Sequence, residues 1–399
     1  PLWALPLLLC FVIWPVRLVP AQSPLVSEDD FAWLQNETLV LLTQCQSPSV
    51  DGHTSCYTPD GNHGYGAQWT RDFSYMVENA PDLLNRQSIA GSINYTMRGQ
   101  RADGCIPDRV QIDLTPVFGP GSTTSPLADH AWDNMPFAAK LVAAYSSHWN
   151  DSGFFCFHEP ALRRALNFVN RSADGLVFND FQQPNCTYGF TDTVAKSGAL
   201  LFTSLLVYDA SEQLATLSDK FGCGDSARYR AEAKSIAAAV NKLRDSNTGL
   251  YFAASGANHL LDIWGSAFAV SLNLTDTAGS ERIVQYLVDN QAGLFQSGQL
   301  RHLPTGQLWD RCFGGQCPSP GTYQNGAFWA TPLGWVLPVI AKFGHPDVAA
   351  TLLADTIADF RANGVMECVN APLHYTGFPK YVASATNVYR AAQLLKSIM

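Results

Sequence analysis

The run ALLFTSLLVY, residues 199–208, decides the fold, because on a helical wheel it is apolar nearly all round and its polar members are small. A helix of that kind has no face for water and must be surrounded by other helices. Two further runs read the same way, IWGSAFAV at 263–270 and GAFWATPLGWVLPVI at 326–340. Other segments carry a single apolar stripe: Tyr229, Ala233, Ile236, Val240 and Leu243 in one, and Val348, Leu352, Ile357 and Phe360 in another. Those belong on the outside of the same body.

Working outward, periodicity predicts twelve helices. The first opens at Ser27-Glu28-Asp29-Asp30, a capping-box-like start, and runs to about Cys45 with Phe31, Leu34, Leu39 and Leu42 along one face. The others lie near 71–84, 87–100, 127–148, 160–171, 193–216, 226–245, 260–273, 279–291, 327–343, 346–362 and 381–398. Pro126, Pro160 and Pro346 suit first-turn positions, and Gly364 follows a helix end. Outer and inner helices alternate, which predicts an all-α fold, an (α/α)6 toroid of six helical hairpins with strands confined to small β-hairpins in loops. An open solenoid is the rival, but no repeated sequence period supports it.

Polar and aromatic clusters fall at the junctions leading into the even-numbered helices. They are QWTRD (68–72), DHAWDN (129–134), YGFTDT (188–193), HLLDIW (259–264), TYQNGAFW (322–329) and VMECVNAPLHYTG (365–377). In a toroid all six open on one end, so distant motifs converge on one pocket. That pocket would hold Asp72, Asp133, Asp192, Asp262 and Glu367 beside Trp69, Trp132, Trp264 and Trp329. Carboxylates beside flat aromatic faces suit a sugar ring, and Arg71 adds a forked, permanently charged donor. Acetal hydrolysis needs a proton for the leaving oxygen and a carboxylate that activates water.

Composition narrows the class. Hydrophobic residues make up 47% and charged residues 15% of the chain, enough for one large core in a single domain spanning 22–399. The formal charge is -9, or -10 without Arg17, and Lys and Arg form no run, so no nucleic acid or anionic membrane partner is expected. PLWALPLLLCFVIWPVRLVP at 1–20, closed by Ala21, reads as a secretory signal that lacks its first residues, with a signal anchor as the alternative. Six Asn-x-Ser/Thr triplets, at Asn36, Asn94, Asn150, Asn170, Asn185 and Asn273, fit a secreted or lumenal glycoprotein. Nine cysteines follow the signal without metal-ligand spacing and read as disulfide formers; Cys312–Cys317 and Cys45–Cys56 are the expected pairs. There is no GxSxG, HExxH or glycine-rich phosphate loop, and no metal or cofactor is expected.

GYGAQWTRDFSYM at 64–76 resembles the Trp-Arg-Asp segment of glucoamylases and related six-hairpin glycosidases. There the Arg and Asp hold hydroxyls of the sugar being released, which implies that role for Arg71 and Asp72. YGFTDTVAKSG at 188–198 is similar to the loop where glucoamylases, trehalases and processing glucosidase I place the general acid, which implies Asp192. MECVNAPLHYTGFPKYVASATNVYRAA at 366–392 resembles the last catalytic loop, whose Glu is the general base, here Glu367. DGCIPDR (103–109) and AWDNMPF (131–137) resemble further substrate loops, implying contacts from Trp132, Asp133 and Asn134 and, more weakly matched, Asp108 and Arg109. Glucoamylases use a Glu as acid, so Asp192 follows the trehalase and glucosidase I pattern. The resemblance implies an inverting, exo-acting hydrolase of an α-linked glycan or glycoside, releasing a terminal sugar such as glucose.

Each position has a plainer reading. Asp72 and Asp192 could cap helices, Asp262 fits a helix start better than a catalyst, and Trp69 could be core. Tyr323, Gln324 and Asn325 divide between substrate contact and loop closure, and aromatic residues inside the tenth and twelfth helices are mostly core. Asp180 and Asp310 are the second choices for acid and base. A glycan-binding pseudoenzyme stays open, as does a lyase or epimerase on the same fold, which would draw on His130 or His374.

Overall fold

The protein, described here by a computed structural model, is placed for residues 26–398; the expected signal segment at 1–21, with Cys10, lies outside them. Its helices are α1 (Glu28–Gln44), α2 (Thr70–Asn79), α3 (Arg86–Met97), α4 (Asn134–His148), α5 (Ser152–Phe168), α6 (Leu201–Phe221) and α7 (Ser226–Ala239). They continue with α8 (Ile263–Ser271), α9 (Thr277–Asp289), the single turn α10 (Gln291–Leu294), α11 (Leu333–Lys342), α12 (Pro346–Asn363) and α13 (Val382–Ser397). Six of them form a closed inner ring: α2 packs on α4, α4 on α6, α6 on α8, α8 on α11, α11 on α13 and α13 back on α2. The outer layer sets α1 on α13, α3 and α5 on α4, α7 on α6, α9 on α8 and α12 on α11. This is the expected toroid.

The inner helices are those the sequence made apolar all round. Leu205 and Leu206 of α6, Ala267 and Phe268 of α8, and Val336, Leu337 and Ile340 of α11 are all buried. Truncating one such Leu or Ile to Ala costs about 2–5 kcal/mol through lost burial and the cavity left behind. Tyr229, Ala233 and Ile236 of α7 and Leu352, Ile357 and Phe360 of α12 turn their single stripes inward as expected. Strands are two or three residues long and antiparallel, for example Val369–Asn370 with Tyr375–Thr376, and Ala67–Trp69 with Arg109–Gln111. Among the described residues no helix is long and apolar enough to cross a membrane.

Several boundaries differ from expectation, each for a tertiary reason. Ser27 does cap α1, its hydroxyl accepting from the Asp30 amide at 3.1 Å; Pro346 opens α12 and Gly364, at φ 82°, closes it. Pro126 instead stays in a loop bridged to Gly121. Pro160 lies inside α5, whose true start is Asp151, the side chain accepting from the Phe154 amide at 3.0 Å. The helix expected from 193 begins only at Leu201, because Gly198–Ala199 pairs with Phe178–Asn179. The helix expected from 327 begins at Leu333, because Trp329 exchanges backbone hydrogen bonds with Leu300.

Cys312–Cys317 forms as expected, and Cys156–Cys223 ties α5 to the turn after α6. Cys45–Cys56 does not form. Cys45 packs into the main core whereas Cys56 faces a separate cluster with Tyr95 and Val110, on the other side of the hairpin. Asn36, Asn150, Asn170 and Asn273 are exposed; Asn94 accepts a hydrogen bond from His158, and Asn185 one from the His130 amide.

Candidate active site

The loops entering the inner helices build a pocket lined by Tyr65, Trp69, Arg71, Asp72, Gly189, Phe190, Asp192, Tyr323, Glu367 and Tyr381. Its cavity volume is about 30 Å³, room for a water and well below that of ligand pockets. Wider clefts occur elsewhere, but none of those described gathers three carboxylates around one space.

Arg71 lines the pocket while being locked from behind. Its Nε donates to Asp133 at 3.1 Å, and its Nη2 to Asn134 at 3.2 Å and to Asp108. Asp108 also accepts from Arg109 at 2.9 Å, and the Gly189 amide donates to Asp133 at 2.7 Å. Gly189 has to be glycine: a Cβ there would sit 1.7 Å from Arg71 Nε. Among the described residues Arg71 Nη1 has no hydrogen-bond partner. Asp108, Asp133 and Asn134 are therefore positioning groups one layer back, where direct sugar contact was expected. Trp69 keeps one face toward the pocket and stacks its ring against the Arg109 guanidinium, 4.5 Å away.

Each of the three pocket carboxylates is held by uncharged donors. Asp72 does not cap α2; its Oδ1 accepts from the Tyr381 hydroxyl at 2.6 Å. Glu367 accepts from the Tyr65 hydroxyl at 2.6 Å through Oε1 and from the Phe378 amide at 3.3 Å through Oε2. Gly377 lets this happen, since a Cβ there would meet Glu367 Oε2 at 2.9 Å. Asp192 follows the short 3-10 turn Gly189–Thr191, well before α6, and its Oδ1 accepts from Gln324 Nε2 at 2.7 Å. Gln324 is fixed in turn by Thr193, whose amide and hydroxyl donate to its Oε1 at 3.0 and 2.7 Å. Asp192 Oδ2 has no partner among the described residues.

Desolvation with no ion pair raises all three acids. Burial pushes Asp72 and Asp192 up to about 6, against the opposing pull of Arg71, and Glu367 up to about 8, against the Tyr65 hydrogen bond. Behind the Gly189–Thr191 turn, Lys196 is buried and, among the described residues, reaches no carboxylate within ion-pair distance; it donates to Thr191 Oγ1 at 2.5 Å, and burial lowers it to about 8.

Several expected contacts lie away from the pocket. Trp132 is core, its Nε1 donating to Asn179 at 2.9 Å and its ring packed edge-on against His130. Trp264 is fully buried against His302, and Trp329 is buried behind Tyr323. Asp262 caps α8 through the Gly265 amide at 2.8 Å, and Asn325 closes its own loop by accepting from the Trp309 amide. Asp180 and Asp310 are exposed, His374 is exposed, and His130 sits outside the cavity. The sequence reading missed Tyr65, Tyr381 and Phe190. All three stand inside motifs it had quoted, but a Tyr beside Trp and Phe carries no mark that distinguishes it from core.

No protein-family model matches the chain, and no curated protein does. Solved structures do. A GH63 mannosylglycerate hydrolase from Thermus thermophilus, solved with glucose, is 14% identical with a TM-score of 0.65, over 92% of this chain and 100% of that one. An uncharacterized conserved protein from the same organism is 14% identical with a TM-score of 0.65, over 89% and 99%. A Klebsiella oxytoca rhamnosidase with rhamnose bound is 15% identical with a TM-score of 0.64, over 92% of this chain and 64% of that one. This chain therefore has the (α/α)6 fold of the six-hairpin glycosidases.

Proposed function

We propose that the protein is a glycoside hydrolase that removes one terminal sugar from an α-linked glycan or glycoside by inversion, with glucose as the first sugar to test. The observation that carries this reading is the carboxylate cluster itself: Asp72, Asp192 and Glu367 border one pocket, each raised by burial and none ion-paired among the described residues. Solved structures of the same fold that act on sugars support it.

Asp192 protonates the leaving oxygen from Oδ2, since Oδ1 is occupied by Gln324. Glu367, an acceptor at both oxygens, draws a proton from water on the opposite face of the ring. The carboxyls of such a pair stand roughly 6.5–9.5 Å apart to admit that water. Arg71 and Asp72, which both line the pocket, fix the hydroxyls of the terminal sugar. The order of acidities in the empty pocket runs against these roles, because Glu367 at about 8 outcompetes Asp192 at about 6 for a shared proton. The free Oδ2 of Asp192 and the two acceptor oxygens of Glu367 support the assignment, which then works from the less populated of the two singly protonated forms. Either placement gives the same bell-shaped kcat/KM, active between about pH 6 and about pH 8, because the pair works with one proton.

The deciding experiment is proton NMR of the protein with α-glucosides, α-mannosides, α-rhamnosides and trehalose. A β-anomer appearing first, and absent with Glu367→Gln, is the expected result. An α-anomer appearing first would refute inversion. Glycan binding without release would make the protein a binding pseudoenzyme.

A further inference from the structure

Between α3 and α5 runs a groove of about 530 Å³, within the range of ligand sites, that shares no residue with the candidate active site. Asn94, Met97 and Arg98 line it from one face of α3, and Phe157, Pro160 and Arg164 from one face of α5, each set at helical spacing. No acid lines it. Phe157 is 76% exposed, more than any other large apolar side chain among the described residues. Asn94 accepts from His158 Nε2 at 2.9 Å through Oδ1, while its Nδ2 has no hydrogen-bond partner among the described residues and stays open to solvent. The His158 ring joins the two, its centroid 4.9 Å from that of Phe157, so the free amide nitrogen is one imidazole away from the bare phenyl. Asn94 opens the triplet Asn94-Tyr95-Thr96, and none of the other five triplet asparagines lines a described cavity.

We propose that Asn94 carries an N-linked glycan and that its first N-acetylglucosamine fills this groove with one face on Phe157. In the transfer, Nδ2 displaces the diphosphate of a lipid-linked oligosaccharide: the N–C1 bond forms, the C1–O bond breaks, and one amide proton leaves. Oδ1 keeps its hydrogen bond from His158 throughout. Tyr95 and Thr96 are buried, and Thr96 Oγ1 accepts from Gln68 at 2.7 Å, so the transfer precedes the docking of α3. A sugar matches what the groove offers. Its apolar face gains dispersion on the phenyl ring, and its hydroxyls meet Arg98 and Arg164, which are both exposed at the rim.

This inference rests on passage through a secretory lumen and is independent of the hydrolase reading. The full chain is produced in the secretory route of eukaryotic cells, and its peptides are mapped by mass spectrometry after peptide N-glycosidase in heavy-oxygen water. Asn94 should appear as labelled Asp; Asn94 unmodified overturns the inference, whatever the other five triplets carry. Seating is read from thermal unfolding of a double-mutant cycle of Phe157→Ala and Asn94→Asp, where the Asp removes the glycan and keeps an acceptor for His158. Phe157→Ala should lower Tm by about 1–2 °C with the glycan present and by less than about 0.5 °C without it. Equal losses in both backgrounds would overturn the seating. If Asn94→Asp does not fold, enzymatic release of the Asn94 glycan from native protein decides: release about fivefold faster in Phe157→Ala than in wild type supports the contact, and equal rates overturn it.

Discussion

Two places along the inner ring bury charge, and they handle it in opposite ways. Between α2, α4 and α6, the buried Lys140 sits between Asp209 at 2.7 Å and Glu78 at 3.2 Å, both of which keep an edge in water. Burial opposes its charge, but the two acids outweigh that and hold it protonated. At the mouth, Asp72, Asp192 and Glu367 are answered by hydroxyls, an amide side chain and a backbone amide. That cluster answers its cation with ion pairs and is finished structure. At the mouth the proton is left to do the neutralising, so it can be given and taken.

The largest effects should come from breaking the mouth. Asp192→Asn and Glu367→Gln should each lower turnover about 10²–10⁴-fold with the fold intact, measured by kcat and circular dichroism. Breaking the Lys140 cluster should do the reverse. Lys140→Met strands Glu78 and Asp209 and should cost about 3–5 kcal/mol in denaturant unfolding while kcat at 20 °C, in the fraction still folded, stays within about twofold. Adding Glu78→Gln and Asp209→Asn should recover most of that stability. A large fall in kcat for Lys140→Met would mean the two ends are not independent.

A smaller test sharpens the contrast at one hydrogen bond. Tyr65→Phe removes a donor that holds Glu367 down, so kcat should fall about tenfold and the alkaline limb of kcat/KM should move up by about half to one pH unit. The smallest effect is on stability. Glu367 is raised from 4.5 to about 8 on folding, so it leaves the protein most stable below about pH 4.5 and costs stability progressively as pH rises toward 8. Glu367→Gln, which cannot ionise, should raise Tm by roughly 2–4 °C at pH 8 and by nothing at pH 4. A constant gain at both pH values would mean the carboxylate is not held neutral by burial.

Much of this contrast was legible beforehand because it follows local rules. Apolar runs without a polar face fixed the inner helices, and single stripes fixed α7 and α12 on the outside. Junction motifs marked which end opens. What sequence could not supply was the layer each side chain reaches. Asp133 and Asp192 both precede even-numbered helices, yet one lies behind Arg71 and the other lines the pocket, a difference set by Gly189 and by Gln324 from a loop 132 residues away. Trp264 and Trp69 look alike in sequence and end as core and rim. The Cys45–Cys56 pair failed for a similar reason, since proximity along the chain says nothing about which side of a hairpin each faces.

The hydrogen bond between Asp72 and Tyr381 joins the first inner helix to the last, across a sequence separation of 309 residues. On a ribosome Asp72 emerges long before its partner, and neither the ring nor the pocket exists until α13 arrives to close them. Contacts of such long range make folding slow. They also make the pocket a certificate of completion: a nascent chain carries Asp72, Asp192 and most of the scaffold, but no closed pocket until α13 has docked.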